Sequence, residues 1–392
     1  MKIAIVVREY HRHGGISRVI YEIAERLAKL EYQVHIFCSK WKDVKNTKIM
    51  FHKVPILEFS VLDKIGFYKI NNFFKGLSFL LTSKFYVKHK DFDIVMVNGD
   101  SLAKFDIVSA HSCHKAWLEL AKKEIKSPID WVMKNLNPHH WRILLTEKLN
   151  YKKGNYKKIV AVSYGVKKEI MQCYNVPEED IVVIPNGIDL EEFNPKNRSL
   201  YFEEVRKEYN IPLDYFVLLF VGYRFHHKGL EFVIKAIAKI KNEKIKLIVV
   251  GNDNKKPYEK LAKDLGVLDK VIFVGRQMKV NKFYAASDIF VFPTFYEAFS
   301  LVTLEAIASG LPLLTTKVNG TEELITDGKE GFFINRDADD IAEKIKILIE
   351  DRNLYKDMSI NARKKAEEYS WDNITNKYLE LFKEVYNLKN KK

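Results

Sequence analysis

Short apolar runs rich in Val and Ile alternate with helical patterns twice along this chain, and no other feature limits its fold so tightly. The first series of runs is 2–7, 32–38, 93–97, 107–111 and 158–162; the second is 216–221, 246–250, 271–274, 289–292 and 311–315. Runs without polar alternation belong to strands buried on both faces, and helices between them imply parallel crossovers. The series break around residues 181–195, where Pro185-Asn186-Gly187-Ile188-Asp189 gathers turn-forming residues. The expected fold class is therefore α/β, two doubly wound domains facing a cleft, with boundaries at 1–185 and 186–370. A helical stretch over 371–392 is expected to cross back onto the first domain. A length of 392 residues exceeds what one hydrophobic core organises, and the halves do not read as copies of an internal repeat.

Hydrophobic residues at 47% and charged residues at 30% exclude a disordered or fibrous chain. The opening Met1-Lys2-Ile3-Ala4-Ile5-Val6-Val7 is too short for a signal peptide and has no small-residue cleavage site, which predicts a cytoplasmic protein. No run of 18 apolar residues occurs; residues 73–86 come closest before lysines interrupt them. Cys38, Cys113 and Cys173 lie far apart in sequence without zinc or disulfide spacing, and are expected to be reduced thiols without a catalytic role. Charge is uneven: residues 1–180 hold 31 Lys and Arg against 19 Asp and Glu, the remainder 34 against 32. The first half thus suits an anionic partner, whether an acidic membrane, a phosphorylated acceptor or a nucleic acid, unless its lysines are simply solvated surface.

In open parallel sheets, ligands bind beyond the carboxyl ends of the strands, so the loops there hold the candidates. Gly14-Gly15 follows the first strand and precedes a helix; paired glycines admit a phosphate to backbone amides or make a plain turn. His111 ends the fourth run, where an imidazole can hydrogen-bond a substrate hydroxyl near neutral pH. A metal site on His111 and His114 lacks further ligands at suitable spacing. Arg224 and Lys228 follow the 216–221 strand, placed either to grip a diphosphate or to open the helix expected over 229–241. Arg276 follows the 271–274 strand, where it can border a nucleotide base.

The richest segment is Pro293 to Pro312. Ser300 reads as the N-cap of a short helix over 303–309 that Gly310 ends, with Glu297 in the preceding loop and Glu305 inside the helix. First-turn amides and the helix dipole attract phosphate, while carboxylates accept from sugar hydroxyls.

This segment resembles the Glu-x7-Glu motif of retaining glycosyltransferases of the GT-B fold, particularly glycosyltransferase family 4. The resemblance extends over nearly the whole chain through Gly14-Gly15, His111 and Pro185-Asn186-Gly187-Ile188-Asp189. It implies a GT-B architecture of two Rossmann-like domains, the first receiving the acceptor and the second the nucleotide-diphosphate sugar. It further implies that Glu297 contacts donor-sugar hydroxyls, Glu305 the ribose, the amides of Phe299, Ser300, Leu301 and Val302 the sugar or phosphate, and Gly15 the diphosphate. The family pattern puts arginine directly after the strand-end glycine, or directly before the lysine. Here Tyr223 follows Gly222 and His227 precedes Lys228, which favours Lys228 over Arg224 as the diphosphate ligand.

The expected catalytic set is then His111, Arg224, Lys228 and Glu297, with leaving-group stabilisation in place of a covalent carboxylate nucleophile. Neither a cofactor nor a metal is expected, because cations and helix amides offset the diphosphate and no Asp-x-Asp pair presents itself. The expected partners are a nucleotide sugar and a glycan or glycolipid acceptor of lipid-linked or lipopolysaccharide type. Aromatic residues mixed with lysines over 67–90 and 116–158, including Trp117, Trp131 and Trp141, add an anionic membrane surface, on the inner face of the cell membrane. A nucleic-acid reader is disfavoured by the absence of any reader motif. A sugar-nucleotide epimerase or sugar phosphorylase of the same fold stays open as the alternative.

Overall fold

The computed structural model describes residues 1–12, 14–64, 66–123, 127, 132, 134 and 136–390. Its chain divides into two compact units, Met1–Asn186 with Trp371–Lys392, and Gly187–Ser370.

In the first unit the strands are β1 (Lys2–Val6), β2 (Glu9–Tyr10), β3 (Gln33–Cys38), β4 (Lys40–Trp41), β5 (Met50–Lys53), β6 (Ile94–Val97), β7 (Ile107–Ala110), β8 (Lys158–Ala161) and β9 (Ile181–Val183). β2 pairs only with β4; the other seven form one parallel sheet in the order β5-β3-β1-β6-β7-β8-β9. The chain winds outward from β1 to β5, then returns to β6 and winds the other way. Wound so, loops after β1 and β6 part at their carboxyl ends, the usual ligand position in such sheets. Ile3, Ile5, Ile94, Met96 and Ile107 are fully buried, as β-branched and apolar residues on a two-sided sheet must be.

The Trp371–Asn390 helix belongs to this first unit and packs on the Ile16–Lys29 helix and β6. Its buried Trp371, Ile374, Tyr378, Phe382 and Val385 recur at three- and four-residue spacing, one stripe of a helix. Each such side chain contributes about 1.5–3 kcal/mol on burial, enough to hold a segment remote in sequence.

The second unit has β10 (Phe216–Val221), β11 (Ile245–Val250), β12 (Val271–Gly275), β13 (Ile289–Phe292), β14 (Leu313–Thr315) and β15 (Gly331–Phe333), all parallel, in the order β12-β11-β10-β13-β14-β15. This is again an outward run from the first strand followed by a return, with the switch between β10 and β13.

Several elements differ from their expected bounds. Residues 181–183, expected within the interdomain join, form β9 at the edge of the first sheet. β5 and β15 are likewise edge strands of three or four residues, too short for a hydrophobic period to register. The helix expected over 229–241 is a short turn, Phe225–Lys228, followed by a helix over Leu230–Ala238. Gly229 interrupts them with φ 76°. β14, expected over 311–315, begins at Leu313 because Gly310 and Pro312 keep 310–312 out of the ladder.

Candidate active site

The site of the second unit is built where β10 and β13 end side by side. The β10 loop turns through Arg224, whose backbone is left-handed at φ 59°, into the Phe225–Lys228 turn. At Gly229 a Cβ would lie 2.2 Å from the Pro293 carbonyl oxygen, so only glycine lets this turn press against the end of β13. The Phe295 amide donates to the His227 carbonyl at 2.9 Å, joining the two loops.

That junction brings Lys228 to Glu297. The Lys228 ammonium donates to Glu297 Oε1, and Thr294 Oγ1 donates to the same oxygen at 3.3 Å. Lys228 also stands 5.2 Å over the Phe292 ring. The side chains are 19% and 15% exposed, so their charges are partly shielded from water and interact more strongly than a surface pair. A cation and a carboxylate so held can meet a diphosphate and a sugar hydroxyl on adjacent atoms.

The helix of the motif runs over Leu301–Ala308, starting two residues before its expected position. Ser300 occupies the N-cap position, but its hydroxyl makes no cap hydrogen bond, which corrects the sequence expectation. Because the Ser300 hydroxyl does not cap the helix, the first-turn amides of Leu301 and Val302 are left to another acceptor such as a phosphate. Phe299 is buried ahead of them. Glu305, 5% exposed, is no surface carboxylate: the Tyr284 hydroxyl donates to its Oε2 at 3.0 Å.

Two further cations border the site and one expected residue stands apart. Arg224 is exposed at the mouth of the β10 loop. Arg336, which sequence reasoning missed, follows β15; its Nη2 donates to the His226 carbonyl at 3.2 Å and its guanidinium lies 5.4 Å from the Phe295 ring centre. No motif announces Arg336 or Tyr284; only folding sets them beside residues about 100 and 20 positions away. Arg276 is exposed at the end of β12, the edge strand, two strands from β10.

The first unit carries a different set. Gly14, with φ 96°, and Gly15, the N-cap residue, lead into the Ile16–Lys29 helix, and a Cβ on Gly15 would meet nothing within 4 Å. That open backbone leaves room for a ligand at the helix start. His111, just past β7, has Nε2 at 3.3 Å from both Asn98 Oδ1 and Ser109 Oγ. Burial pushes its pKa down to about 4, so the ring is uncharged at neutral pH and exchanges hydrogen bonds without adding charge. His114 leaves the site: its Nε2 lies 3.0 Å from His140 Nδ1 and its ring stacks on Trp117. Among the described residues no three His, Cys, Asp or Glu side chains gather as a metal site.

The chain is similar to known glycosyltransferases over most of its length. The glycosyltransferase family 4 model matches residues 13–192, and the group 1 glycosyl transferase model matches residues 202–365. An uncharacterised glycosyltransferase of Methanocaldococcus jannaschii is 33% identical over 234 residues, which are 57% of this chain and 59% of that one. The N-acetyl-alpha-D-glucosaminyl L-malate synthase of Bacillus anthracis is 26% identical over 399 residues, 98% of each chain. The lipopolysaccharide glucosyltransferase WaaG of Escherichia coli is 24% identical over 85% of each. A crystal structure of WaaG, a glycosyltransferase involved in lipopolysaccharide biosynthesis, matches with a TM-score of 0.78 at 23% identity, over 97% of this chain and 99% of that one. With two consecutive family models spanning most of its length and two Rossmann-like parallel sheets in the matching fold, the chain belongs to the group 1 glycosyltransferases of the GT-B fold.

Proposed function

We propose that the chain moves a sugar from a nucleotide-diphosphate sugar to an acceptor hydroxyl with retention of anomeric configuration and without a resident metal or cofactor. The observation that carries this reading is the meeting of Lys228 with Glu297 at the β10–β13 switch, next to the start of the Leu301–Ala308 helix. Lys228, Arg224 and the first-turn amides stabilise the departing diphosphate, while Glu297 accepts from hydroxyls of the sugar and holds Lys228 in place. Glu305, oriented by Tyr284, accepts from the ribose. The bond from the anomeric carbon to the diphosphate breaks as the acceptor oxygen bonds the same face, and the acceptor proton passes to the leaving phosphate oxygen. His111, uncharged and held near Asn98 and Ser109, hydrogen-bonds the sugar or acceptor. Gly14 and Gly15 leave open backbone for a ligand at the start of their own helix.

A panel of UDP-, GDP- and ADP-sugars, each with and without a glycan or glycolipid acceptor, tests the reading. The expected result is acceptor-dependent release of nucleoside diphosphate and a glycoside whose anomeric configuration, read by NMR, equals that of the donor. Acceptor-independent epimerisation, release of sugar 1-phosphate, or an inverted product overturns it.

The acceptor side of the proposal is a lipid-linked or lipopolysaccharide-type glycan met at an anionic membrane. Its support is the Tyr68–Tyr86 helix, which exposes Tyr68, Ile70, Leu81 and Phe85, with exposed Lys84, Lys88 and Lys90 beside them. Apolar side chains flanked by lysines suit an acidic bilayer surface. Trp117 is half-buried and Trp141 exposed, while Trp131 lies outside the described residues. No described helix is long and apolar enough to cross a membrane. Flotation with anionic liposomes at low salt is expected to carry the protein; absence from the lipid fraction removes the membrane from the proposal.

A further inference from the structure

Cys113 and Cys173, 60 positions apart in the chain, come together in the first unit. Cys113 is buried between β7 and the His114–Lys123 helix, and Cys173 lies in the last turn of the Tyr164–Tyr174 helix; both are free thiols. The residues that follow them are clamped to one carboxylate. Glu147 accepts from the His114 amide at 2.6 Å, from the Lys115 amide at 3.2 Å and from the Tyr174 hydroxyl at 2.5 Å. Lys115 Nζ adds a bond to the Cys173 carbonyl at 3.0 Å. Within this clamp the two thiols are close enough to act on each other electrostatically.

Access is one-sided. Cys173 is half-exposed and lines a cavity of about 1210 Å³ whose wall also carries Lys115, Lys122, Lys148, Lys152 and Lys153, whereas Cys113 is fully covered. The lysines favour the approach of a small anionic disulfide such as glutathione disulfide.

We propose that Cys113 and Cys173 form a reversible dithiol–disulfide couple that, oxidised, staples the start of the His114–Lys123 helix to the end of the Tyr164–Tyr174 helix. The Cys173 thiolate attacks one sulfur of the small disulfide, whose S–S bond breaks, and the released thiolate takes up a proton as free thiol. Cys113 then attacks the Cys173 sulfur of the mixed disulfide and expels a second thiol, its own proton passing to that leaving group. The protein loses two electrons and two protons, and one small disulfide becomes two small thiols. Burial holds both protein thiols protonated, which makes the exchange slow at neutral pH and faster as pH rises. The closed loop spans about 60 residues, long enough to stabilise the unit by restricting its unfolded chain.

The full chain, incubated with glutathione disulfide at pH 8 and then alkylated under denaturing conditions, is the test. The thiols that alkylate are expected to fall from three to one, the Cys113 and Cys173 peptides to be linked, and dithiothreitol to restore all three. C173S is expected to keep both remaining thiols, and C113S to trap glutathione on Cys173. Three persisting thiols, or a mixed disulfide on Cys173 that Cys113 never resolves, overturns the couple. Oxidation is also expected to raise the denaturant midpoint read by tryptophan fluorescence, reversibly; a disulfide that forms without that rise overturns the staple.

Discussion

The two halves of this glycosyltransferase share a strand order and place different chemistry on it. Where β10 and β13 end, the second unit sets charge: Lys228 against Glu297, with Arg224 and Arg336 nearby. Where β1, β6 and β7 end, the first unit sets glycines, Asn98 and an imidazole that burial keeps neutral. Nine of the eleven histidines and all five tryptophans fall in the first unit, while the second holds only His226 and His227. One winding topology thus supports a half that sets paired charges at its strand ends and a half that sets glycines and uncharged polar groups there, because strand order fixes where loops converge while loop sequence fixes what they carry.

The sharpest way to break that contrast is to remove a charge from one half and the neutral ring from the other. Lys228→Ala is expected to lower kcat by about 100- to 1000-fold, about 3–4 kcal/mol of lost transition-state stabilisation. His111→Ala, losing one uncharged hydrogen bond, is expected to cost about tenfold. Steady-state kinetics with an identified donor measure both, and equal losses would erase the distinction.

Acid separates the halves next. His35 Nδ1 lies 2.8 Å from His52 Nε2, and burial, then His52 and Lys2, push the His35 pKa down to about 4. Between about pH 6.5 and 4 the unfolded chain binds a proton that the folded chain does not. Stability is therefore fully present above about 6.5 and is lost as pH falls toward 4, by at most about 3 kcal/mol for His35. Tryptophan fluorescence reports the first unit alone, so its denaturant midpoint is expected to drop in this window. His35→Gln should blunt the drop; an unchanged midpoint in the parent chain counts against it.

Gly229→Ala tests the packing of the second half. With φ 76° and a Cβ at 2.2 Å from the Pro293 carbonyl oxygen, alanine is expected to cost about 2 kcal/mol or more and to pull Lys228 from Glu297. Thermal unfolding by circular dichroism reads the cost, and a wild-type midpoint with full activity would refute the close approach. The smallest effect belongs to Tyr284→Phe, which removes the hydroxyl on Glu305. Donor KM is expected to rise about fivefold, about 1 kcal/mol, with kcat little changed. A fall in kcat at constant KM would instead assign the Tyr284–Glu305 pair to the bond-breaking step.

The sequence alone determined ten of the strands and the family resemblance. The ten long apolar runs correspond to ten strands, because continuous burial on both faces demands continuous apolar residues. Glu297, Glu305 and the helix that carries Glu305 were legible because a loop, a helix start and a glycine stop are local features, although the early helix start and the missing Ser300 cap were not. Tertiary structure decided what depends on distance through space. Edge strands β5, β9 and β15 owe their existence to neighbours in the sheet more than to their own three or four residues. The pairing of Lys228 with Glu297 follows from β10 and β13 lying side by side. Arg336, Tyr284 and the Cys113–Cys173 neighbourhood likewise have no local pattern, because hydrogen bonds and burial act between atoms within a few ångströms, whatever number of residues separates them along the chain.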